Sequence, residues 1–246
     1  MPIEFDIALE RALAEGDEWQ SWRALRLSGD TLPLPSIPYQ EEGGGVIGPA
    51  GGASPGATGE ALCHLALLEL GASDAATAAA DWLESARTPA GAWLDDPAQV
   101  PGEVEGAAGG RVWATAAAAC GLLAVDRDPG RVALMLLRGE SDSQGRFTGG
   151  AYPTFAAAGA LWMSVGPKSE MAEWALRWSR EWDEEWWGPW EWATALTFWG
   201  AAGIRVEHAS VEAFLDSLVE AAPGDGWPED LGLTVRTLEL LAHYGG

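Results

Sequence analysis

The chain has 246 residues, 48% of them apolar, and a formal net charge of −23, with a sequence pI near 4.2. Lys168 is the only lysine among 14 basic residues, so recognition of nucleic acid or of an anionic membrane through a basic face is not expected. No apolar run is long enough to span a bilayer and Met1 to Glu10 lacks a basic, signal-like start, which predicts a cytoplasmic protein with one domain over residues 1–246.

Ile3, Ile7, Leu9, Ala12 and Leu13 recur at helical spacing from Pro2 to Glu15, and Asp17 to Leu27 reads as a partner helix. Ser28 to Ser54 is a long loop rich in Gly and Pro, a length that in a compact domain marks a mouth or lid. From Gly56 an apolar helix runs to about Leu70, and Ser73 caps the next, which ends near Arg87. A second long loop, Leu94 to Gly110, holds Asp95, Asp96, Glu103 and Glu105. Val112 to Val125 is an apolar helix, and Asp128 and Pro129 open another that ends near Gly139. Thr154 to Val165 and Glu191 to Ala202 are apolar, Ser169 to Trp182 is amphipathic, Ser210 caps a helix to about Ala221, and Leu231 to Tyr244 closes the chain.

Helices apolar all round thus alternate with one-sided helices, the pattern of two concentric rings. Inner helices are expected near residues 3, 56, 111, 154, 191 and 231, and outer ones near 17, 73, 129, 169 and 210. The fold class is therefore all-α: an α/α toroid of helical hairpins with the last outer helix missing, the alternative being an open superhelical solenoid, against which the long apolar inner runs argue. Cys63 and Cys120 share a repeat position but no metal-ligand spacing, and they are read as small core residues. No metal or cofactor is predicted.

A short pattern recurs between hairpins: a polar residue, three residues, a glycine, one residue and a large apolar residue. It occurs at Gln40, Gly44 and Val46; at Arg87, Gly91 and Trp93; at Ser141, Gly145 and Phe147; and at Glu184, Gly188 and Trp190, with a looser copy from Gly224 to Trp227. The glycine permits a left-handed turn and the aromatic residue plugs the neighbouring hairpin; Trp82, Trp93, Trp190 and Trp227 are the expected plugs. A second marker follows each copy: Ala57-Thr58-Gly59, Ala114-Thr115-Ala116, Phe155-Ala156-Ala157, Ala193-Thr194-Ala195 and Leu233-Thr234-Val235.

Trp82-Leu83, Arg87 and Gly91-Ala92-Trp93 resemble the QW motif of the terpene cyclase and protein prenyltransferase superfamily, with arginine for glutamine, and Gln40 to Val46 keeps the glutamine without the tryptophan. The resemblance covers most of the chain from residue 40 onward. It implies an α/α barrel around an aromatic lumen and, for class II cyclases, a proton donor in an Asp-x-Asp-Asp segment before a Thr-Ala start. No such segment precedes Thr115, Thr194 or Thr234; Asp230 stands alone at its first position, and Asp95-Asp96 matches only its final pair. The aspartate-rich magnesium motif and the prenyltransferase zinc set are also absent from the sequence.

Counted from the second marker, one face of the inner helices collects Glu60, Cys63 and His64; Ala117, Cys120 and Gly121; Leu161 and Trp162; Leu196, Trp199 and Gly200; and Arg236, Glu239 and His243. This mixed face is expected to line the lumen, with the last three residues exposed to solvent. The leading expectation is a protein that binds, and cyclises, an isoprenoid or other hydrophobic small molecule. Glu60, Asp95, Asp96 and Asp230 are the candidate acids, and His64, Trp113, Trp162, Trp192, Trp199 and Arg236 are the candidate substrate contacts. The cluster Trp182, Trp186, Trp187, Trp190 and Trp192 beside Asp183, Glu184, Glu185 and Glu191 keeps a second reading open, a carbohydrate-active toroid with paired carboxylates. A binding or scaffold protein without catalysis is the third.

Overall fold

The computed structural model describes residues 3–30, 32–102, 104–181 and 187–245. Among them eleven α-helices follow one another: α1 Phe5–Glu15, α2 Glu18–Leu27, α3 Pro55–Leu67, α4 Asp74–Ala86, α5 Gly106–Ala124, α6 Arg131–Gly139, α7 Ala151–Val165, α8 Glu170–Glu181, α9 Pro189–Ala201, α10 Ala209–Ala221 and α11 Leu231–Gly245. These are the expected eleven, and the alternation holds from α3 to α8, whereas α1, expected as an inner helix, buries only Ala8 and Ala12 and leaves Ile7 and Leu13 exposed. The odd members α3, α5 and α7 bury most of their residues, whereas α4, α6 and α8 bury one face each.

Several boundaries differ from expectation, among them the start of α7, at Ala151 and not Thr154. Helix α5 starts at Gly106 and not near Val112, and Gly109 within it is a point of close approach and not part of a loop: a Cβ there would stand 2.5 Å from the Cα of Gly149. The N-cap of α10 is His208, whose Nδ1 accepts from the Ser210 N–H at 3.2 Å; Ser210 itself is buried in the first turn.

The chain divides into two compact units, one of residues 1–38, 184–196 and 205–246, the other of residues 39–183 and 197–204. In the second unit α3, α5 and α7 lie side by side, with α4, α6 and α8 packed on them. The α3–α5 approach is close because Gly59 and Gly121 meet without side chains: a Cβ on Gly121 would sit 2.4 Å from the carbonyl oxygen of Gly59. Cys120 packs where Gly159 of α7 leaves room, with Sγ 2.8 Å from the Cβ position. The face counted as lumenal on α5 therefore makes helix–helix contacts, and both cysteines are buried and not joined in a disulfide.

The recurring turns tie successive hairpins together. Gly44, Gly91 and Gly145 all have positive φ, and a Cβ on Gly44 or Gly145 would strike the carbonyl of Ala78 on α4 or of Trp174 on α8. Gln40 Nε2 donates to the Ala75 carbonyl at the start of α4 at 2.9 Å, and Arg87 Nη2 donates to the Asp128 carbonyl before α6 at 2.9 Å. Each apolar residue that ends a turn is fastened to a threonine of the following helix: Val46 N–H to Thr58, Trp93 to Thr115, Phe147 to Thr154 and Trp227 to Thr234. Thr154, not Ala156, is thus the marker in the third copy. The count along α7 shifts by two residues and takes Leu161 and Trp162 off the face assigned to them.

The fourth copy departs from the pattern. Glu184 lies outside the described residues, and Trp190 is not a plug but a member of α9, 41% exposed. Trp187 is the buried aromatic instead, edge-on to Phe214 of α10 with centroids 5.9 Å apart.

In the first unit α11 packs on α1 and α2, with Ala12, Ala24 and Val235 in their shared core. This corrects the expectation of an exposed last helix. Glu239 is 2% exposed and takes a bidentate pair from Arg23 of α2, Nε to Oε1 at 2.6 Å and Nη2 to Oε2 at 2.5 Å. Burial raises the proton affinity of the Tyr244 hydroxyl, which donates to the Leu196 carbonyl at 3.0 Å. Of the three residues expected in solvent only His243 is exposed.

Candidate functional site

Asp95, one of the candidate acids, is half-buried. It lies in the extended stretch between Trp93, which is fully buried and bonded to Thr115, and a single 3-10 turn, Pro97–Gln99. Its Oδ2 accepts from the backbone N–H of Gly56 in the first turn of α3 at 3.1 Å, a position where the helix dipole favours a carboxylate. The Ser54 hydroxyl also bonds it while accepting from the Ala57 N–H as the N-cap of α3. Burial nevertheless dominates: it pushes the carboxyl up from 3.8 to about 6, against the Ser54 and Gly56 bonds and with help from the neighbouring Asp96 charge. Oδ1 is buried and has no hydrogen-bond partner among the described residues.

A second buried polar atom converges on the same spot. A Cβ on Gly56 would stand 2.2 Å from Trp113 Nε1 and 2.8 Å from Asp95 Oδ2, so this glycine is what lets indole and carboxyl approach. Trp113 is 1% exposed and its N–H, like Asp95 Oδ1, has no partner among the described residues. Its ring is edge-on to Tyr152 at 5.8 Å and to Phe198 at 6.0 Å, and Phe155 is edge-on to Trp199 at 5.9 Å. A carboxyl that burial keeps protonated in mildly acidic solution, with one unengaged oxygen, thus stands beside a buried group of aromatic rings whose π faces can stabilise positive charge.

The other predicted residues fall elsewhere. Asp96 is exposed and its Oδ1 caps the 3-10 turn through the Ala98 N–H at 2.9 Å. Asp230 caps α11 through the Leu233 N–H at 2.9 Å and accepts the Trp190 indole N–H at 2.8 Å, so both its oxygens are engaged. Glu60 and His64 stand one turn apart on α3, Glu60 half-buried and His64 7% exposed. Trp199 is fully buried and its indole N–H donates to the Phe155 carbonyl at 3.3 Å. Trp162 is half-buried and lines an open cleft of about 770 Å³ at the C-terminal ends of α5, α7 and α9, with Leu123, Met163 and Ala201. Trp192 on α9 and Arg236 on α11 are half-buried in the first unit. Of the tryptophan and carboxylate cluster, Trp182, Asp183, Glu184, Glu185 and Trp186, and likewise Glu103, lie outside the described residues.

Ser54, Gly56, Tyr152 and Phe198 belong to the site without having been singled out in the sequence. Ser54-Pro55-Gly56 does carry a signal, an N-cap followed by proline at the first helical position.

No family model and no curated protein sequence matches the chain. Among solved structures, the apo type II terpene cyclase MstE from Scytonema superposes with a TM-score of 0.51 at 16% identity, over 96% of this chain and 86% of that one. The chain has a terpene cyclase-like fold. This is the all-α, α/α-toroid class expected from the alternation of helices. A variant of the same Scytonema enzyme in complex with its substrate, geranylgeranyl dihydroxybenzoate, superposes with a TM-score of 0.50 at 15% identity, over 98% of this chain and 86% of that one. Among the described residues no group of three or more His, Cys, Asp and Glu could hold a metal ion, and no helix is long and apolar enough to cross a membrane.

Proposed function

We propose that the protein binds an isoprenoid or a similar hydrophobic molecule against the aromatic side chains around Trp113, and that neutral Asp95 donates the proton that starts its cyclisation. The observation that carries this reading is the Asp95 carboxyl, raised to about 6 by burial, with Oδ1 unengaged beside the Trp113 indole. The likeness of the fold to a type II terpene cyclase, one structure of which holds geranylgeranyl dihydroxybenzoate, supports the substrate class.

Burial keeps the proton on Asp95 in mildly acidic solution, and the Ser54 hydroxyl and Gly56 N–H receive the charge once the proton has left. The proton passes from a carboxyl oxygen to an alkene carbon, the π pair forms the new C–H bond, and the cation on the neighbouring carbon is attacked by the next double bond. Loss of a proton to water ends the sequence, so the product is an isomer of the substrate. Trp113, Tyr152 and Phe198 offer π faces to the cationic intermediates. A side-chain acid suffices for this chemistry without a cofactor, and in this reading the chain works in the cytoplasm as one domain. Glu60, Asp96 and Asp230 are the reserve candidates for the acid.

Incubation with geranylgeranyl dihydroxybenzoate and with squalene, followed by chromatography with mass detection, tests it. The expected result is a product of unchanged mass and altered retention that the Asp95→Asn variant does not form. Equal product from wild type and Asp95→Asn transfers the role to another acid, and absence of both product and binding removes the cyclase reading.

A further inference from the structure

The segment that carries Asp95 holds a second device. Gln99 closes the 3-10 turn after Asp95 and Asp96, and its side chain reaches far back in sequence, Oε1 accepting from the Ala50 N–H at 3.1 Å. Ala50 is at the tip of a hairpin closed by the Ile47–Ala53 bridge and by the Gly48 N–H bond to the Gly52 carbonyl at 2.9 Å. The carboxamide fits because two hairpin residues have no side chain. A Cβ on Gly48 would lie 2.5 Å from Gln99 Oε1 and 2.9 Å from the Ser54 Cβ, and one on Gly52 would lie 3.0 Å from Gln99 Nε2.

The sequence Ile-Gly-Pro-Ala-Gly-Gly-Ala has no side chain that would order such a hairpin by itself, and its glycines make order entropically costly. Directly after it comes Ser54, whose N–H bonds the Val46 carbonyl at 2.9 Å and whose hydroxyl bonds Asp95. One neutral side chain therefore links the hairpin that ends at Ser54 to the segment that carries the acid.

We propose that Gln99 is a positioning residue for Asp95: it latches the 47–53 hairpin to the acid's own segment, which keeps Ser54 aimed at the carboxyl and Oδ1 out of water. The role rests on Asp95 being the acid, yet its test does not require turnover. With the latch open, water reaches the carboxyl and the Ser54 bond loosens. These act in opposite directions on proton affinity, and hydration wins because burial is the larger influence; Asp96 is the charged neighbour that remains in both states.

The experiment is a carbon-13 carboxyl titration of the full chain by NMR, with the Asp95 signal identified by its loss in Asp95→Asn. Wild type is expected to titrate near 6. Gln99→Met, which has no acceptor, and Gln99→Asn, which is too short to reach Ala50, are expected to lower the Asp95 midpoint by about one unit or more. Gln99→Glu keeps the acceptor oxygen and is expected to hold the midpoint at or above the wild-type value. An Asp95 midpoint unchanged in both the Met and the Asn variant overturns the latch, as does a Glu variant that behaves like Met. A midpoint that moves as expected while no isoprenoid is cyclised leaves the latch standing and removes the catalytic reading of Asp95.

Discussion

Asp95→Asn is expected to make the protein more stable in weakly alkaline solution and to lose that advantage in acid. The carboxyl goes from an ordinary 3.8 to about 6 on folding, so the folded state holds the proton more tightly than the unfolded chain. Wild type therefore has its full stability below the unfolded value of 3.8 and loses stability as the pH rises through about 6. A shift of that size corresponds to about 3 kcal/mol, and residual solvent screening of this half-buried group reduces it to about 2 kcal/mol. The asparagine oxygen still accepts from Gly56, while its NH₂ takes the place of the unengaged Oδ1. That offset is the same at every pH and cancels when two pH values are compared. Urea unfolding of both proteins at about pH 4 and about pH 8 measures the difference. Between those conditions the variant is expected to gain about 2 kcal/mol on wild type, or about 4 to 8 °C in Tm for a chain of this size. A variant whose stability follows wild type at a constant offset across that range would show that Asp95 is not held neutral by burial, and the acid assignment would lose its physical basis.

Gly56→Ala is expected to cost about 1–3 kcal/mol in urea unfolding and to abolish cyclisation, because the new Cβ would need the space now held by Trp113 Nε1 and Asp95 Oδ2. Gly44→Ala combines positive φ with a Cβ 2.2 Å from the Ala78 carbonyl oxygen and is expected to destabilise by about 2 kcal/mol or more, read as a fall in the unfolding midpoint. Arg23→Met leaves Glu239 buried without its bidentate partner and is expected to cost about 3–5 kcal/mol, most of it recovered by adding Glu239→Leu. Trp187→Ala is expected to cost about 3–5 kcal/mol and Trp190→Ala about 1 kcal/mol or less. The reverse order in thermal unfolding would restore Trp190 as the plug.

The helices and their alternation were legible in the sequence because periodicity reports burial directly: a helix apolar all round has no solvent face wherever it stands in the fold. The recurring glycines were legible for a similar local reason, since a tight turn at positive φ excludes side chains, and the structure adds the carbonyls of α4 and α8 that a Cβ would strike. The fourth copy was misread because spacing alone cannot distinguish Trp187 from Trp190; burial against Phe214 decides it. The third marker was misread because Ala156 and Thr154 are both plausible starts until the Phe147 amide is seen to choose the hydroxyl.

The candidate acids show the same division. Four carboxylates were equivalent in the sequence. Asp96 and Asp230 turn out to hold a turn and a helix end, and Asp95 is half-buried where Gly56 and Trp113 meet it from two other segments of the chain, so that burial raises its proton affinity against the hydrogen bonds from Ser54 and Gly56. Proton affinity depends on desolvation and on donors brought from distant positions, and neither is a property of the local sequence. The sequence by itself determined an all-α chain of alternating hairpins joined by glycine turns, through local sterics and burial periodicity. Only the tertiary structure decided which acid is buried, which tryptophan is a plug and how the last helix is covered, because each depends on contacts between segments far apart along the chain.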